Sequence, residues 1–109
     1  MTVADLACDS RVNVLALPAP EREIKGVYIG DLLSWVMGRA NADDAWITIM
    51  SNVNVVAVAS LADVSCVLLA EGVTLTEEIA RTAADKGINL LSSTLTAYEL
   101  AKLLCGALK

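Results

Sequence analysis

The sequence predicts a single α/β domain spanning residues 1–109, built on a mostly parallel sheet with β-α-β crossovers. Three observations lead there. Residues 45–50, 64–70 and 88–91 are short, nearly continuous apolar runs, the pattern of strands buried on both faces of a parallel sheet. Residues 51–63 and 74–86, which separate those runs, have the length that a helical crossover needs. Finally, 109 residues suffice for one hydrophobic core and not for two.

Residues 3–8 read as a short helix ended by Asp9 and Ser10, and residues 11–17 (R-V-N-V-L-A-L) alternate like a strand that Pro18-Ala19-Pro20 breaks. Residues 23–29 form a second strand. Gly30-Asp31 then supplies a turn and an N-cap carboxylate for a helix over residues 32–39. Leu32, Leu33, Trp35, Val36 and Met37 leave that helix only a narrow polar face, so it is expected to be largely covered. A polar loop, residues 41–44, leads into the first buried run.

Residues 53–62 set propensity against topology. Val53, Val55, Val56 and Val58 favour a strand, whereas Ser51 or Asn52 can cap a helix and parallel neighbours require a crossover. A helix is the expectation, and a hairpin of residues 45–50 with 53–59 is the alternative. Thr74-Leu-Thr-Glu77 and Thr96-Ala-Tyr-Glu99 each fit a capping box, with Gly87 placed to end the first of the helices that follow and Gly106 near the chain end.

Hydrophobic residues make up 56% of the chain, and its mean hydropathy is +0.60. No stretch approaches the ~20 apolar residues of a membrane-spanning helix. A domain this small cannot hide so much apolar side chain by folding alone, so a homodimer surface is expected, the alternative being a core rich in Ala and Val. A helix apolar nearly all round must be covered on more than one side, which makes Val55, Val56 and Val58 interface candidates. Trp35 and Trp46 read equally as core residues or as anchors of that interface.

The net charge is −5, with the eight Lys and Arg scattered along the chain. Nucleic acid and anionic membrane both need a concentrated positive patch and are therefore not expected partners. The first residues show no signal-peptide pattern. Cys8, Cys66 and Cys105, widely spaced, read as small buried thiols of a reducing cytoplasm.

The chain has no histidine, which removes Ser-His-Asp and Cys-His nucleophile systems. Its glycines form neither phosphate-binding loop pattern, and its cysteines lack C-x-x-C spacing, so no cofactor or metal is expected. The pairs Asp43-Asp44 and Glu77-Glu78 point in diverging directions and read as solvated charge. Polar clusters remain at the predicted strand ends. Asn52, Asn54, Glu71, Ser92, Ser93 and Thr94 are candidates to bind a small anionic ligand, because such sites lie beyond the carboxyl ends of parallel strands. Equally, these residues could simply cap helices and fill turns, and the clusters contain no Arg or Lys.

Gly30-Asp-Leu-Leu-Ser-Trp-Val-Met37, Ala45-Trp-Ile-Thr-Ile-Met50, Asn54-Val-Val-Ala-Val-Ala59, Glu71-Gly72 and Thr96-Ala-Tyr-Glu-Leu-Ala101 resemble the small stand-alone proteins of the DRTGG-domain family. Those proteins are similar to the N-terminal domain of HPr kinase/phosphorylase. The resemblance covers residues 3–104 and implies an α/β domain with a regulatory or dimerising role. The chain lacks the Asp-Arg-Thr-Gly-Gly motif, Met50-Ser-Asn-Val-Asn54 standing about where it would begin. The kinase activity of HPr kinase belongs to a separate P-loop domain, and no such loop is present. The expected function is thus a non-catalytic regulatory domain that homodimerises and docks on a partner enzyme or signalling protein. A small-ligand sensor is the alternative, and an enzyme using carboxylates or Cys66 a third reading.

Overall fold

A computed structural model describes residues 1–108. Its elements are α1 (Val3–Ala7), β1 (Asn13–Ala16), β2 (Gly26–Ile29), α2 (Leu33–Arg39), β3 (Asp44–Thr48), α3 (Asn54–Ala62), β4 (Cys66–Leu69), α4 (Glu77–Asp85), β5 (Leu90–Ser92) and α5 (Ala97–Leu108). The five strands form one sheet in the order β1-β5-β4-β3-β2. β2, β3, β4 and β5 are parallel, and β1 joins the far edge antiparallel to β5.

Side chains alternate across a strand, and here the alternation feeds two cores. Trp46, Val67, Leu69 and Leu90 point to one side of the sheet, where they pack with Val36 of α2, Val55, Val56, Val58 and Ala59 of α3, and Ala83 of α4. Ala45, Ile47, Cys66, Leu68 and Leu91 point to the other, against Val3 and Leu6 of α1 and Leu100 and Leu104 of α5. This two-sided burial is why β3, β4 and β5 read as unbroken apolar runs. Residues 54–62 are helical, so the hairpin alternative does not form. Topology overrides valine's strand propensity, and the cost of β-branching, roughly half a kcal/mol per residue, is small beside burying three valines.

Several local expectations shift. Asp31 does not cap α2, which has no side-chain cap. Its carboxylate accepts from Thr48 Oγ1 at 2.8 Å and the Ile49 amide at 2.9 Å instead, tying the ends of β2 and β3 together. α2 is also far from covered: Val36 alone is fully buried, whereas Leu32, Trp35 and Met37 are about half exposed. α4 is capped by Thr76, whose Oγ1 accepts from the Ile79 amide, so the box expected at Thr74 lies two residues early. Its other end closes as foreseen, with Gly87 at φ 75° and the Gly87 and Ile88 amides returning to Ala84 and Ala83. The Thr96–Glu99 box is complete in both directions. Gly106 lies inside the last turn of α5. Cys66 is buried, but Cys8 and Cys105 are exposed, correcting the expectation of three buried thiols.

The amino-terminal side of the sheet is held by two polar clamps. Arg22 donates to Asp43 Oδ1 at 2.7 Å and to the backbone carbonyls of Asp63 and Val64, joining two turns whose aspartates adopt left-handed backbone. Buried Asn89 accepts from the Ala19 amide and donates to the carbonyls of Ala19 and Ser65, pinning the Pro18-Ala19-Pro20 segment to the sheet.

Candidate functional site

Because β2 to β5 are parallel, their carboxyl ends share one rim, and the three polar clusters of the sequence gather there. Asn52 and Asn54 sit at the start of α3, where Asn52 Oδ1 accepts from the Asn54 amide at 2.9 Å. Glu71 and Gly72 follow β4 in left-handed conformation, φ 58° and 78°. Their amides donate to the carbonyls of Leu95 and Ser93, which locks the β4 exit to the β5 exit.

The serines are not offered to a ligand. Ser92 and Ser93 are both buried. Ser93 Oγ donates to the Arg11 carbonyl at 2.7 Å and accepts from the Leu95 amide at 3.1 Å, so its hydroxyl is spent inside the fold. Asn52, Asn54, Glu71 and Thr94 remain exposed. Asp31 and Glu71 bring negative charge to the rim, and Lys86 lines a small cavity of about 130 Å³ together with Asn54.

The interface residues divide likewise. Val55, Val56 and Val58 are buried in the chain's own core, because the apolar face of α3 is turned onto β3 and β4. They present nothing to a partner. Trp46 belongs to the core as well, its Nε1 donating to the Gly30 carbonyl at 2.9 Å. Trp35 is the exposed one, with the Arg39 guanidinium 3.7 Å from its ring centroid. Other large apolar side chains on nearby elements are exposed as well. Of the nine large apolar residues exposed among the described residues, six (Ile29, Leu32, Trp35, Met37, Ile49 and Val53) belong to β2, α2 and the loops that follow β2 and β3.

On the opposite side of the sheet, Arg11, Leu95, Tyr98, Glu99, Lys102 and Leu103 line a cleft of about 540 Å³. The Ser93 hydrogen bond brings Arg11 to the end of β5, where α5 starts. Asp9 accepts from Arg11 Nε at 2.9 Å and Nη2 at 2.8 Å. Those bonds from Arg11 hold the Asp9 carboxyl at a pKa of about 2. Glu99 is held below its ordinary value by the Thr96 amide and then by the Thr96 hydroxyl. The spacing of Tyr98 and Lys102 on one helix face was readable in the sequence. That Arg11 faces them was not.

Other reactive groups are quiet. Burial pushes the Cys66 thiol up to about 12, so it is no thiolate nucleophile near neutral pH. Among the described residues no three His, Cys, Asp or Glu side chains converge as a metal site, and no helix is long and apolar enough to cross a membrane.

No family model matches the chain. No curated protein matches it either. Among solved structures it is similar to the CBS and DRTGG domains of the regulatory region of Clostridium perfringens pyrophosphatase, complexed with its activator diadenosine tetraphosphate. The likeness has a TM-score of 0.67 at 14% identity and takes in 85% of this chain and 41% of that one, so the chain spans about two fifths of its neighbour's length. At that identity the likeness shows the fold alone, a five-stranded mostly parallel α/β domain.

Proposed function

We propose that this chain is a non-catalytic regulatory domain that homodimerises through the surface of β2, α2 and the start of α3, and that docks in this form on a partner enzyme or signalling protein. The observation carrying this reading is that Leu32, Trp35 and Met37 of α2 and its entry, and Val53 just before α3, are each about half exposed, at an end of the sheet where Ile29 and Ile49 are exposed as well. Asp31 ties the exits of β2 and β3 together, and Ile29 lies beside Ile47 on the face of the sheet that α1 and α5 cover. Trp35 lies three residues after Leu32, on the neighbouring turn of α2.

Apolar side chains collected in one place favour association, whereas the same residues scattered singly would not. The half-exposed Trp35 carries Arg39 on its face, and Trp and Arg are both enriched among the residues that dominate binding energy. The fold likeness to a regulatory region supports the same role. Exposed Cys8 and Cys105 fit a reducing cytoplasm, where free thiols persist. Light scattering on the purified chain at tens of micromolar tests the dimer: twice the 11.4 kDa chain mass supports it, and the monomer mass overturns it.

A second reading is a sensor of a small anionic ligand held by Asn52, Asn54, Glu71 and Thr94. It is supported by the exposure of these four residues on one rim and by the fold likeness to a region complexed with a nucleotide. Asn54→Ala and Thr94→Ala would then weaken binding without unfolding the chain.

A further inference from the structure

We propose that the cleft between Arg11 and α5 binds a nucleoside phosphate, with Tyr98 as the platform for the base and Arg11 and Lys102 as the phosphate donors. The site shares no residue with the strand-end clusters and stands whether or not the chain dimerises. Its volume, about 540 Å³, falls within the roughly 300–1,000 Å³ of small-molecule sites. Tyr98 is 73% exposed, an aromatic ring left in water at the edge of a concave surface. Base–aromatic stacking answers that exposure and does not depend on which base is offered.

The charges are arranged for a phosphate that arrives with a ring. Asp9 binds Nε and Nη2 of Arg11, which fixes the guanidinium and leaves Nη1 without a side-chain partner among the described residues. Lys102, one turn beyond Tyr98 on the same helix face, forms no ion pair among the described residues. Glu99 uses Oε1 to accept from the Thr96 amide, so its second oxygen can accept from a sugar hydroxyl. Two cations face two carboxylates, Asp9 and Glu99, so the cleft has little net attraction for a bare anion. Leu95 and Leu103 add an apolar wall that inorganic phosphate cannot use. A ligand must supply an aromatic ring, hydroxyls and phosphate together. The chain's net charge of −5 argues against a nucleic-acid polymer in the same place.

The test is calorimetric titration of the full chain with ATP, tripolyphosphate and adenosine, repeated on Tyr98→Ala, Lys102→Ala and Leu32→Asp, each checked for native circular dichroism. The expected result is that ATP binds, with tripolyphosphate and adenosine at least tenfold weaker. Tyr98→Ala and Lys102→Ala should each weaken ATP by about tenfold. Leu32→Asp should leave ATP binding unchanged, which separates this site from the dimer surface. Absence of ATP binding, tripolyphosphate binding as tightly as ATP, or indifference to both cleft substitutions would each overturn the proposal.

Discussion

Asn89→Ala should be among the most damaging single polar substitutions in the chain. The side chain is 1% exposed and makes three hydrogen bonds: it accepts from the Ala19 amide at 2.9 Å and donates to the Ala19 carbonyl at 2.7 Å and the Ser65 carbonyl at 3.0 Å. A typical hydrogen bond contributes about 1 kcal/mol net, and an orphaned buried partner costs about 1–3 kcal/mol. Ala19 is only partly buried, so water can reach its amide and carbonyl once the asparagine is gone, while the Ser65 carbonyl stays dry. The sum is a loss of about 3 kcal/mol, with the Pro18-Ala19-Pro20 segment released from the sheet. Asn89→Leu fills the space without restoring the bonds and should lose nearly as much, which separates hydrogen bonding from cavity formation. Urea unfolding followed by the fluorescence of buried Trp46 reads the effect. With a slope near ~1.5 kcal/mol/M, the midpoint should fall by about 2 M. A loss under about 1 kcal/mol at unchanged slope would refute the claim that this clamp holds the loop.

Three further outcomes follow from the same geometry. A Cβ placed on Gly26 would stand 2.6 Å from Asp44 Oδ1, and Asp44 is itself buried with Oδ2 accepting from the Asn41 amide, so Gly26→Ala should cost about 1–3 kcal/mol in the same urea assay. Asp5, Asp9, Asp43 and Glu99 all have pKa values lowered in the folded chain, Asp9 to about 2. The unfolded chain therefore binds more protons. This stability is present above the ordinary carboxylate values near ~4 and is lost as pH falls through the folded ones. The melting temperature should drop between about pH 4 and pH 2, and less steeply in Asp9→Asn, where equal slopes would remove Asp9 from the account. Iodoacetamide should label the native chain twice, at Cys8 and Cys105, and a third time only after denaturation; native labelling of Cys66 would mean that β4 opens readily.

The fold was legible because burial on both faces of a sheet leaves a plain mark. The runs that became β3, β4 and β5 have no polar alternation to misread, and the spacing between them forces crossovers. That same argument identified α3 against the propensity of its valines. It did not say that Val55, Val56 and Val58 would be consumed by the chain's own core, since an apolar stretch looks the same whether it faces a sheet or a partner. The local chemistry of turns was ambiguous at close range. Thr74 and Thr76 both satisfy part of a cap, and only the backbone of Thr76, extended at φ −65° and ψ 158°, selects it. Asp31 had the right position to cap α2, yet Thr48 and Ile49 compete for its carboxylate from another strand. The site was legible only as a location. Ser93 looked available because its bond to the Arg11 carbonyl spans 82 residues of sequence, and the same bond builds the cleft in which Arg11 meets Tyr98 and Lys102.

The central claim is dimerisation through the α2 surface, and sedimentation equilibrium of the wild-type chain beside Leu32→Asp and Tyr98→Ala tests it most directly. Leu32 and Tyr98 are both well exposed, so neither change should unfold the domain, and only Leu32 lies on the proposed interface. The account predicts a dimer for the wild type and Tyr98→Ala and a monomer for Leu32→Asp; a wild-type monomer at tens of micromolar, or a Leu32→Asp dimer of undiminished affinity, would contradict it.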